Sequence, residues 1–120
     1  MMEKRHFERY RCDVDITIID RSDDEHAAEA CDISEEGICL LIPRSSVMNL
    51  LDAGSRLESG NGLKIIIPDI QAQPPCTMLC SIAHASSVQN GQYIIGLHFE
   101  DDSPKTRSFV RRQLNHFKAL

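Results

Sequence analysis

Two small groups of residues have types and spacings suited to recognition chemistry. Near the start, Arg5 and Arg9 stand four positions apart in Arg5-His6-Phe7-Glu8-Arg9. About two dozen residues later, Asp32, Ser34 and Gly37 stand in Asp32-Ile33-Ser34-Glu35-Glu36-Gly37. A guanidinium makes paired hydrogen bonds to phosphate and to the O6/N7 edge of guanine, and it stacks on flat rings. An ionised aspartate only accepts, so it suits the N–H donors of a base, while a serine hydroxyl can donate. Glycine lacks a Cβ, which permits a left-handed turn or the close approach of a ligand. Alone, each group also has a plain structural explanation: a solvated basic arm, and an Asp/Ser hairpin turn.

The segments around these groups decide how they are held. Residues 1–12 are rich in charge, lack a clean period, and read as a mobile arm. Val14–Ile18 alternates apolar and polar residues, so it is a strand. A polar turn over Asp20–His26 leads to a second strand at Ala27–Ile33. Ser34–Gly37 is then the turn of a hairpin whose third strand, Ile38–Ile42, stops at Pro43. Ser45–Asp52 has helix formers with a Ser cap, and Gly54 stands where the helix ends. Leu63–Ile67 and Cys76–Val88 read as strands. Asn90-Gly91 between apolar runs predicts a type I′ hairpin turn, followed by a strand over Gln92–Glu100. Ser103-Pro104 starts a helix, with Val110, Leu114 and Phe117 as one apolar stripe. Six strands and a terminal helix with short turns indicate a small antiparallel barrel or sandwich plus helix.

Length and charge narrow the function. The chain has 120 residues and a net charge of −5, which suits one domain. Residues 1–11 carry four basic and two acidic groups, and residues 105–120 five basic and none acidic. The intervening stretch carries four basic and sixteen acidic groups. Binding long nucleic acid needs an extended basic track, which this acidic middle disfavours. No run approaches the ~18 apolar residues of a membrane span. The polar N-terminus shows no secretory signal, so a cytoplasmic protein is expected. Five cysteines without a signal read as small buried hydrophobes in a reducing compartment.

The two groups in this order, RxxxR then DxSxxG, flanking a β-rich middle and a helical tail, resemble the PilZ domain family. Gly96-Leu97-His98-Phe99 also resembles that family's closing strand. The resemblance runs from about Lys4 to the last helix. It implies a mainly β fold: a six-stranded antiparallel β-barrel over residues 13–102, a C-terminal α-helix over 103–120 and a flexible N-terminal arm over 1–12. It also implies binding of the bacterial second messenger cyclic di-GMP through Arg5, Arg9, Asp32, Ser34 and Gly37. The family often has arginine just before RxxxR; here Lys4 keeps the charge without the planar fork and joins the site as its least typical member. The implied protein is a receptor that orders its arm on binding and signals through an effector protein which the sequence does not name. The alternative is a ligand-independent adaptor with the same fold; such members usually lack one or both motifs, which this chain retains.

Other patterns carry less. Cys76, Cys80 and His84 share one face of an inferred strand, where alternate residues advance ~6.6 Å, so Cys76 and Cys80 would stand ~13 Å apart. Zinc needs sulfur at ~2.3 Å, so no metal site is expected, and Met78 and Ile82 on that face indicate core. The five histidines are scattered. No nucleophile motif, phosphate loop or paired carboxylates accompany them, so no enzyme activity is expected. The basic face of the last helix, Arg107, Arg111 and Lys118, is expected to be solvated.

Overall fold

Alternating aliphatic residues define the inside of the molecule. Ile16 and Ile18, Leu40 and Ile42, Ile65 and Ile67, Met78 and Ile82, and Ile95 and Leu97 are all buried in one core. The structure, a computed structural model, describes residues 8–71 and 74–119. In chain order its elements are β1 (Tyr10–Ile19), β2 (Glu25–Ile33), β3 (Gly37–Ile42), α1 (Arg44–Asp52), β4 (Gly62–Ile67), β5 (Cys76–Ser87), β6 (Tyr93–Phe99), α2 (Pro104–Leu114) and β7 (Lys118–Ala119). The hydrogen-bonded order is β2-β3-β6-β5-β4-β1, and β1 pairs back with β2. That closes a six-stranded antiparallel barrel, as the resemblance implied, and the short strand β7 pairs outside it with the start of β1.

Local chemistry explains the connections. Asn90 and Gly91 take φ of 64° and 75°, the positive values that a type I′ turn requires. Ser103 caps α2 by accepting a hydrogen bond from the Thr106 amide, and Pro104 opens its first turn. Gly54, at φ 89°, ends α1. Its amide donates to the Leu51 carbonyl and the Ser55 amide to that of Leu50, a Schellman ending. At the other end of α1 the expectation fails. The cap is Pro43, with no side-chain hydrogen bond, and Ser45 lies inside the helix.

Two boundaries also differ. The arm was expected to reach residue 12, but β1 begins at Tyr10. Tyr10 and Arg11 pair with Ile33 and Asp32 on one side and with Ala119 and Lys118 on the other. Pairing on both sides satisfies these backbone groups, which outweighs the segment's poor alternation. The helix expected over 103–120 stops at Leu114, because the chain turns at Asn115 and His116 to lay β7 along β1. Lys4 and Arg5 lie outside the described residues.

Candidate functional site

Asp32 owes its position to an irregular step. Ala28 and Ala30 of β2 point inward and are buried. Strict alternation would send Asp32 inward too. A bulge between Ala30 and Asp32 in the pairing with β3 inserts Cys31. Asp32 is left half-buried and Ile33 takes the inward place. A second irregularity, between Arg11 and Val14 of β1, lies alongside. Bulges of this kind re-aim side chains beside sites.

Arg9, one residue before β1, meets Asp32 there. Its Nε and one terminal nitrogen donate to the same carboxylate oxygen, Oδ1, at 3.0 and 2.6 Å. The two side chains are 22% and 20% exposed, so the pair is reachable from solvent. Asp32 Oδ2 takes no hydrogen bond among the described residues. The two sequence groups, 23 residues apart, are thus brought to one place.

The other two members of the second group are set deeper. Ser34 is fully buried. Its amide donates to the Gly37 carbonyl at 2.8 Å, and its Oγ accepts from the Glu36 amide at 3.2 Å. It therefore builds the turn that carries the group. Gly37 does not take a left-handed conformation; it is absent from the positive-φ glycines. A Cβ placed on it would stand 2.1 Å from the Leu97 carbonyl oxygen. The missing side chain is needed for contact between β3 and β6, a use the sequence reading did not foresee.

The turn is tied to α2. Arg111 Nε donates to Glu35 Oε1 at 2.6 Å, and a cleft of about 260 Å³ lies between the turn, the end of β6 and α2. Arg112 donates to the buried Asp69 at 2.7 Å, and Arg107 stands 4.0 Å from Asp102. Each described arginine of α2 has an acidic neighbour, which weakens the case for a free basic face. The Arg112 guanidinium, followed by the Gln71 amide, holds the Asp69 carboxyl below the usual range.

A row of outward positions leads away from Asp32. Asp32 pairs with Cys39 of β3, Cys39 with Gly96 of β6, and Gly96 with His84 of β5. His84 was expected to share the face of Cys76 and Cys80. A bulge between Ile82 and His84 reverses the alternation after Ile82 and leaves His84 exposed. Sequence reasoning missed this, although an isolated glycine inside a strand, Gly96, was a signal of a close approach nearby. Burial pushes the thiols of Cys12 and Cys80 up to about 12 and that of Cys39 to about 11. Those of Cys31 and Cys76 are raised as well, again chiefly by burial. Thiols of this kind are poor nucleophiles and poor metal ligands, and among the described residues no group of three metal-binding side chains occurs. No helix among them is long and apolar enough to cross a membrane.

The molecule is thus a small closed six-stranded β domain with an arginine before its first strand paired to an aspartate near the end of its second. The family model for the PilZ domain matches residues 3–116, and the chain belongs to that family. No curated protein matches the sequence. Among solved structures, the PilZ domain of YcgR from Escherichia coli, determined with c-di-GMP, is similar with a TM-score of 0.69 at 12% identity, over 94% of this chain and 90% of that one. The Bacillus subtilis inhibitor of motility, MotI/DgrA, gives 0.67 at 18% identity over 96% of this chain and 53% of that one. The K. pneumonia MrkH–c-di-GMP complex gives 0.68 at 11% identity over 93% and 51%. The chain thus spans about half the length of the last two proteins.

Proposed function

We propose that this chain is a non-enzymatic bacterial receptor for cyclic di-GMP, acting in the cytoplasm through a partner protein. The observation that carries the reading is the Arg9–Asp32 pair, which joins the two recognition groups on the outside of the barrel. Arg9 is the phosphate and guanine ligand at the base of the arm, and Arg5 and Lys4 add charge from within it. Asp32 accepts guanine N–H donors. Ser34 and Gly37 shape the turn beneath. Membership of the PilZ family and the c-di-GMP in the YcgR and MrkH structures support the choice of ligand.

Binding must compete with the Arg9–Asp32 bond, so the ligand exchanges one ion pair for contacts to each partner. Ligand contacts then order the part of the arm that precedes Arg9 against the barrel and create or hide a surface for an effector. Calorimetric titration of the full chain with cyclic di-GMP tests the reading. Heat of binding that disappears in Arg9→Ala is the expected result. No heat and no thermal shift with the wild-type chain would instead indicate the ligand-independent adaptor.

A further inference from the structure

The acidic stretch between residues 12 and 104 holds four basic residues, Arg21, Arg44, Arg56 and Lys64. Three of them, Arg21, Arg56 and Lys64, line one groove of about 350 Å³, together with Ile19 and Leu79. All three are exposed, and none forms an ion pair among the described residues. Of the two carboxylates in the groove, Asp20 is buried and turned to His26, which leaves Asp23 as the exposed one.

Strand register sets apolar side chains around the central cation. Ile19 of β1 pairs with Lys64 of β4, and Lys64 with Leu79 of β5. Two residues further along, Thr17 pairs with Ile66 and Ile66 with Thr77. The row between them, Ile18, Ile65 and Met78, points into the core, so these six side chains form the outward face of three neighbouring strands. Outward positions on an antiparallel sheet with one solvated face are ordinarily polar, and Thr17, Thr77 and Lys64 keep to that. Ile19 and Ile66 are only half-buried, and Leu79, at 55% exposure, is the most exposed large apolar residue among those described. Aliphatic groups beside charges of one sign suit a protein docking surface. Burial of the aliphatic groups supplies affinity, and the charges select the partner and speed encounter.

We infer that the outer face of β1, β4 and β5 around Lys64 is the docking surface for the effector, and that the effector presents to it an acidic segment carrying aliphatic side chains. The inference rests on the reading that the chain acts through a partner, and it gives that partner its chemistry. The net charge of −5 repels such a segment from the rest of the molecule, so the groove also fixes where it lands. In the barrel order, β4 and β5 stand across from β2 and β3. Ile19 and Tyr10 are the two ends of β1, roughly 30 Å apart at the rise of a strand. Partner and ligand therefore occupy different surfaces and can be bound together.

The test follows a fluorescein-labelled synthetic peptide of alternating leucine and glutamate by anisotropy as the full chain is titrated in, without cyclic di-GMP. Saturable binding that weakens with added salt is expected. Lys64→Glu is expected to weaken it about tenfold or more, since like charges then meet, and Leu79→Ser about threefold or more through the lost apolar contact. Calorimetry of both variants with cyclic di-GMP is expected to match wild type, because neither residue belongs to the ligand site. Urea midpoints check that each variant is folded; should Lys64→Glu prove unfolded, Arg56→Glu, in the loop between α1 and β4, decides in its place. No saturable binding, wild-type affinity in the folded variants, or equal binding of a leucine–lysine peptide would overturn the inference. A dimer in analytical ultracentrifugation that Lys64→Glu dissociates would overturn it in favour of a second copy of this chain. Failure of the wild-type chain to bind cyclic di-GMP would overturn the receptor reading alone, since the peptide titration needs no ligand.

Discussion

At the scale of single residues, the candidate site combines a half-buried, solvent-reachable pair with buried supports, and the two kinds respond differently to substitution. Arg9→Ala is expected to weaken cyclic di-GMP binding by ~1.5–3 kcal/mol, the worth of a charge-assisted hydrogen bond. It should hardly change the urea midpoint without ligand, because a solvent-reachable ion pair contributes ~0–1 kcal/mol. Asp32→Ala should also lower affinity, though less than removal of one group suggests, since it releases Arg9 from its present partner. A calorimetric double-mutant cycle on Arg9 and Asp32 measures that coupling, and strict additivity would show that the pair is not broken on binding. Gly37→Ala belongs to the other kind. Its Cβ would stand 2.1 Å from a backbone oxygen of β6, and overpacking of this sort costs ~1–3 kcal/mol. A urea midpoint equal to wild type would contradict the tight contact between β3 and β6.

At the scale of elements, what was legible in the sequence was what depends on neighbours along the chain. The Asn90-Gly91 turn, the Ser103 cap, the Gly54 helix ending and the apolar alternation of each strand are local, and the structure bears them out. The bulges at Cys31 and before His84 are not local. They arise from register against a partner strand, so no pattern within β2 or β5 announces them, and they alone decide that Asp32 and His84 face outward. The end of α2 was misjudged for a related reason, since β7 gains its hydrogen bonds from β1, a hundred residues away. The β1–β2 hairpin shows how a buried group ties an element to pH. Asp20, with its side chain 1% exposed, accepts from His26 Nε2 at 2.6 Å and from the amides of Ser22 and Asp24. The His26 hydrogen bond leads in holding its carboxyl below the usual range. The unfolded chain then binds a proton more readily than the folded one. The contribution is therefore complete above the ordinary aspartate pKa of ~3.9 and is lost as pH falls through the lower folded value. Asp69 and Asp101 are depressed as well, so the urea midpoint should drop steeply below pH ~4. Asp20→Asn should start lower at neutral pH and fall less; an unchanged acid slope would remove Asp20 from the account.

At the scale of the whole molecule, the proposed receptor function raises the question of how many ligands one barrel takes, and it turns on charge. Basic residues gather at the two ends of the sequence, and the acidic excess lies between them. In the structure the start of β1 and the C-terminal strand β7 run side by side, with Arg11 opposite Lys118, and Arg11 pairs with Asp32 in the β1–β2 register. One cyclic dinucleotide brings two phosphate charges, and a stacked pair brings four to the same place. Their mutual repulsion at a few ångströms is offset only by cations near enough to escape screening. In the family, a long cationic residue just before RxxxR resembles the variants that take the pair, and a short apolar one those that take a single ligand. Lys4 is cationic, so the expected stoichiometry is two ligands per chain. Lys4→Leu should lower the ratio toward one, with binding itself retained because Arg9 and Asp32 are untouched. Calorimetry at saturating ligand over 50–300 mM salt checks this. The second equivalent should weaken with salt more steeply than the first, since it adds charge to a site already occupied by anions. A ratio of one in the wild-type chain, unchanged by Lys4→Leu, would reject the paired ligand while leaving the receptor assignment in place.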